Sequence, residues 1–87
     1  MSSNGGAIRV FVVRAIDRCN GQPIPEETLR DAVRMAFPHV PESGELLRTS
    51  LATLAAGGYV ASGTQDLTGD TLWTLTDKGR LHAEWWR

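Results

Sequence analysis

The chain has 87 residues, a formal net charge of −1, 41% hydrophobic and 22% charged residues, and a single cysteine. That is the length of one small domain with a thin core, burying roughly 60–65% of its unfolded surface. The composition excludes a polyelectrolyte or low-complexity chain, an internal disulfide framework and any membrane-length apolar run.

In chain order, residues 1–6 are small and polar with paired glycines, and read as a disordered tail. They lack the charged start and apolar stretch of a signal peptide, and with the lone Cys19 a reducing cytoplasm is the expected setting. The domain is expected over 7–87. Ala7–Cys19 contains strand-forming Val10, Phe11, Val12 and Val13, yet Ile8, Phe11, Val12, Ala15, Ile16 and Cys19 recur at helical spacing. A helix stopped by Asn20-Gly21 is the better reading. It places Val10 and Val13 on the opposite face beside Asp17. These are either two scattered surface valines or a partner surface.

Gln22-Pro23-Ile24-Pro25 is extended, because each proline restricts the residue before it. Pro25 suits the first position of a second helix, with Glu26 and Glu27 at its positive end. Leu29, Ala32, Val33 and Ala36 form its apolar stripe, and Pro38 ends it. Ser43 is the expected N-cap of a third helix over 43–57. In that helix Leu47, Ser50, Leu51 and Leu54 face inward, and Glu45, Arg48, Thr49, Ala52, Thr53 and Ala56 face outward. Gly57-Gly58 stops it. Tyr59-Val60-Ala61 begins a strand, 62–70 is a polar connection, and Thr71–Leu75 is the returning strand with Trp73 and Leu75 on one side. Thr76 caps a last helix that Leu81, Trp85 and Trp86 pack onto the core.

Two segments carry a resemblance. Leu51-Ala52-Thr53-Leu54-Ala55-Ala56-Gly57-Gly58-Tyr59-Val60 resembles the end of the recognition helix in MarR-like and PadR-like regulators. Trp73-Thr74-Leu75-Thr76-Asp77-Lys78-Gly79-Arg80 resembles the segment after their wing. The resemblance covers about residues 8–86. It implies an α+β winged helix-turn-helix fold: a three-helix core, a β-hairpin wing and a C-terminal helix. It further implies a small bacterial or phage regulator that binds double-stranded DNA without a cofactor. By position, base-facing candidates are Arg48, Thr49, Ala52 and Thr53. Ser43, Thr64 and Gln65 are backbone candidates, and Arg30, Arg34, Lys78 and Arg80 flank the groove. A homodimer through Val10, Val13 or Trp86 is the expected assembly. Arg48 would read guanine, and the threonines or Ala52 a thymine methyl.

The charge departs from that family pattern. From Ser43 to Leu75 there is one cation, Arg48, against three anions, Glu45, Asp66 and Asp70. Phosphate contacts by Lys and Arg supply much of the affinity for DNA. Winged helices also serve as protein-interaction modules, and that is the alternative function. No enzyme constellation stands out. His39, His82 and Cys19 lack the spacing of a zinc site or a nucleophilic pair. Ser62-Gly63-Thr64 and Thr68-Gly69-Asp70 are turn chemistry, not phosphate loops.

Overall fold

A computed structural model of the chain describes residues 4–82. The described elements run α1 (Asn4–Asp17), β1 (Ile24–Pro25), α2 (Glu26–Ala36), α3 (Ser43–Ala56), β2 (Val60–Thr64), β3 (Thr71–Leu75) and α4 (Asp77–Leu81). The three strands form one antiparallel sheet in the order β1-β3-β2. This is a small α+β domain, compatible with a winged helix-turn-helix without being specific to it.

α1 begins at Asn4, so residues 4–6, expected in the tail, are helical. Asn20 and Gly21 follow its end with positive φ (51° and 86°), the left-handed conformation that terminates a helix. Ile8, Val12, Val13 and Ile16 are buried, while Phe11 and Ala15 pack half-buried against them. The two-faced reading of this helix is therefore corrected. Val13 has no exposed surface and Val10 is half-buried, so they do not form an outward pair. α1 touches α3, α2 and β3, and three neighbours cover a wider arc than a single apolar stripe requires.

Pro25 is not the first residue of α2. It occupies the N-cap position at φ −63°, ψ 141° and pairs with Leu72 across the sheet, so Glu26 starts the helix. Leu29 and Val33 are buried, Ala32 is half-buried, and Ala36 is exposed, outside the expected stripe. Phe37 turns the chain and meets Phe11 edge-to-face at 5.6 Å.

In α3 the inward row is as the spacing predicts: Leu47, Ser50, Leu51 and Leu54 are buried. Each fully buried leucine stabilises the fold by about 2 kcal/mol. The N-cap differs. Glu42 holds that position without a side-chain cap bond, and Ser43 is the first helical residue, only 6% exposed. The C-terminus is a Schellman motif: Gly58 N donates to Ala55 O at 3.0 Å and Tyr59 N to Leu54 O at 2.9 Å. Gly58, at φ +80°, makes that reversal possible.

β2 runs on to Thr64, which pairs with Thr71, so 62–64 are ladder residues and the hairpin loop is only 65–70. Register explains the extension. Val60↔Leu75 is set by two buried side chains, and the following pairs zip from it despite the low strand propensity of Ser62 and Gly63. Trp73 and Leu75 point into the core together, at 8% and 7% exposure. Trp73 Nε1 also donates to Glu26 Oε1 at 3.1 Å, tying β3 to the start of α2. Leu81, expected to pack the last helix onto the core, is 79% exposed, because the one-turn α4 turns its buried face, Gly79, toward the strand instead; Trp85 and Trp86 lie outside the described residues.

Candidate nucleic-acid interface

α3 presents one open face. Gly44, Glu45, Arg48, Thr49, Ala52, Thr53, Ala55 and Ala56 are all exposed. Helical spacing lines up the side chains that sequence reasoning named together, Arg48, Thr49, Ala52 and Thr53. They are short apart from Arg48, so a flat or grooved surface can approach the helix closely. Ser43 does not belong with them: its burial removes its hydroxyl from the open face.

The hairpin beside α3 is also open, with every residue from Ala61 to Thr71 exposed. Its tip is an ordered turn. Gln65 N donates to Asp70 O at 2.9 Å, and Gly69 N to Gln65 O at 2.7 Å. Thr68 Oγ1 donates to Gln65 Oε1 at 3.3 Å and accepts from Asp70 N at 3.3 Å. Gln65 thus holds the turn together, while Thr64 extends the ladder. Leu67, at 94% exposure, caps the tip between the carboxylates of Asp66 and Asp70. Where the hairpin faces α2, Asp70 shares a cleft with Glu26, Glu27 and Arg30. The hairpin carries two carboxylates, one exposed leucine and no cation, among otherwise small or neutral polar residues.

The flanking cations are placed differently from one another. Arg30 bonds Glu26 at 3.4 Å, the carboxylate that also receives Trp73. Arg34 lies 3.9 Å from Asp31 and is well exposed. Surface pairs of this kind contribute little and leave the guanidinium available to another anion. Lys78 is engaged at the helix end. Its Nζ donates to Gly57 O at 2.7 Å and sits 4.7 Å from the Tyr59 ring centroid. Arg80 is 3.9 Å from Asp77 and turns toward Gly21, in a cleft with Ile16, Asp17, Asn20 and Leu75. Of the flanking four, Lys78 is committed to the backbone at the C-terminal end of α3, and Arg80, paired as loosely as Arg34, lies in the cleft at the end of α1 rather than on the open face of α3.

In the Thr76-Asp77-Lys78-Gly79 segment Thr76 caps the last helix as expected, and the segment also forms a joint that sequence reasoning missed. Thr76 Oγ1 accepts from Gly79 N at 3.1 Å, capping α4, and donates to Gly58 O at 2.6 Å. Thr76 N donates to Tyr59 O at 3.0 Å. A Cβ on the buried Gly79 would collide with the Tyr59 carbonyl and lie 2.8 Å from Leu75 Cδ1. These residues join α3, the hairpin and α4. The available signal was Thr-x-x-Gly after a strand, which reads as a cap followed by a close approach.

Among the described residues no group of three His, Cys, Asp or Glu is placed to hold a metal ion. Cys19 Sγ donates to Ala15 O at 3.5 Å, and His82 Nδ1 lies 2.9 Å from Lys78 O. Among the described residues no helix is long and apolar enough to cross a membrane. Compared with known proteins, the chain matches no family model, no curated protein and no solved structure.

Proposed function

We propose that the protein is a winged-helix-type module that lays the open face of α3 against double-stranded DNA, as a small regulator acting without a cofactor. The observation that supports this most is the uncovered row Arg48, Thr49, Ala52 and Thr53, presented beside an exposed hairpin. Arg48 is long enough to reach a guanine edge, and the threonine methyls and Ala52 suit thymine. Arg30 and Arg34 supply backbone contacts at the flank.

The affinity of one copy is low on this reading. Three cations, Arg48, Arg30 and Arg34, are available for phosphate, while Asp66 and Asp70 repel it. The test is a titration of labelled mixed-sequence duplex at low and moderate salt. Binding should weaken with a log–log slope of about −3 or shallower, since each neutralised phosphate contributes about −0.9. Absence of binding at low salt removes the proposal. Arg48→Ala should reduce discrimination between sites by about 1–3 kcal/mol, and unchanged discrimination takes Arg48 out of the interface.

A second reading, a protein-interaction module, is favoured by one observation: the tip of the hairpin carries an exposed leucine between two carboxylates and no cation. Under it, α3 and the hairpin together contact a protein, and duplex binding is absent at every salt concentration.

A further inference from the structure

The sheet has two edges, and they are built differently. Thr76 N donates to Tyr59 O at one end of the β2–β3 pair, and Gln65 N donates to Asp70 O at the other. Bonded pairs alternate along an antiparallel ladder, so within β2 the bonds to β3 fall on Ala61 and Gly63. The N–H and C=O groups of Ser62 and Thr64 therefore point away from β3. Both residues are exposed, whereas Val60, the remaining outward position, is buried. On the opposite edge the same alternation bonds Ile24 to Trp73 and leaves Pro23 and Pro25 outward. A proline has no N–H to offer, so that edge is closed. β2 carries neither a proline nor a charge, the residues that ordinarily guard an edge strand. Gly63 lies in the middle of its open stretch. Its φ is outside the positive range that Gly21, Gly58 and Gly69 occupy, and an added Cβ would meet nothing within 4 Å. Among the described residues nothing requires a glycine there, although glycine weakens a strand. A bare position in a strand suits the close approach of another backbone.

We infer that β2 pairs antiparallel with β2 of a second copy, across a two-fold axis at Gly63. In that register Ser62 of each copy exchanges both backbone bonds with Thr64 of the other, which satisfies every exposed outward group of the strand. Gly63 meets its own counterpart in the non-bonded pair on the axis, where Cα atoms approach to about 4.5 Å and a bare residue fits best. Charge does not oppose the contact. The paired side chains are small and neutral, and the chain as a whole carries only −1. Antiparallel pairing also points the two anionic tips in opposite directions. Asp66 lies three residues from the axis, so the two Asp66 positions are about 20 Å apart along the strands, beyond a Debye length of about 10 Å at 0.1 M salt. The same strand faces itself, so the interface is isologous and closes at a dimer. One short strand pair is a small interface, which belongs to the weak, concentration-dependent class. The inference does not rest on the DNA reading, since the edge of β2 is not the open face of α3.

The test is sedimentation of the whole chain from roughly 10 μM to 1 mM. The average mass should rise with concentration and stop at the dimer. In amide exchange, Ser62 and Thr64 should gain protection as the concentration rises, while Ala61 and Gly63, already bonded to β3, should change little. Gly63→Lys and Gly63→Glu each set like charges against one another on the axis, and each should weaken dimerisation by at least about tenfold. Mixed in equal amounts, the two variants should recover it as a heterodimer, because an ammonium then faces a carboxylate. The space around Gly63 admits a side chain, so both variants should fold, and far-UV circular dichroism verifies that they do. Ser62→Pro removes one outward N–H and no bond to β3, and should weaken dimerisation as well. A wild type that stays monomeric at the highest concentration overturns the inference. So does a Gly63→Lys variant that dimerises like wild type, or a mixture no tighter than its two components; the open edge then belongs to an extended segment of a different protein, or the copies meet through another surface.

Discussion

The two ends of the β2–β3 hairpin differ in almost every respect. At its root, Tyr59 and Thr76 are bonded to each other, Thr76 reaches Gly58, Lys78 reaches Gly57, and Gly79 is pressed against the strand. At its tip, Leu67 touches almost nothing and the carboxylates of Asp66 and Asp70 face water. The root holds α3 and α4 in place, while the tip is held only by its own turn. The residues that most suggest a known family are therefore structural, and the chemistry that would select a partner lies at the tip and on the outer face of α3. A family-like wording at a structural joint carries information about fold and little about function.

Substitutions can break or sharpen that contrast. The largest expected effect is at the root: Gly79→Ala should destabilise by about 3 kcal/mol, because the Tyr59 carbonyl and Leu75 cannot both move aside. Thermal unfolding should show a fall of at least 12 °C. A loss within about 0.5 kcal/mol would mean that the root yields easily and the contrast is false. Thr76→Ala comes next, at about 1–2 kcal/mol, because it removes the α4 cap and the bond to Gly58. Thr76→Ser, which keeps the hydroxyl, should recover most of that loss in a urea titration. Lys78→Met is smaller, about 0.5–1 kcal/mol, for an exposed side chain that bonds one helix-end carbonyl. The smallest effect is at the tip, where Leu67→Asp should leave stability within about 0.5 kcal/mol of wild type, because the side chain is 94% exposed.

The structure also separates two kinds of polar residue that look alike in the sequence. Arg48 stands on the open face of α3. Lys78 follows the hairpin closely in the chain, yet its ammonium closes the C-terminus of α3. Its role depends on a carbonyl 21 residues away, which no local pattern encodes. Glu26 is a similar case. Its place in the first turn of α2 is visible from spacing, but its bond to Trp73, 47 residues on, is not.

Much of the helical framework was legible because it is local. Period-3.6 apolar spacing placed the inward and outward rows of α3, and Asn20-Gly21 and Gly57-Gly58 marked helix ends through their tolerance of left-handed backbone. The alternation of Trp73 and Leu75 set which side of β3 is buried. Tertiary structure alone decided how wide the buried arc of α1 is, and so turned Val13 from a surface candidate into core. It buried Ser43, extended β2 through Ser62 and Gly63, and divided the arginines and Lys78 between the exposed flank and internal contacts. The reason is physical: periodicity and capping act within one turn or one strand, whereas burial and charge pairing depend on which distant segments arrive beside them.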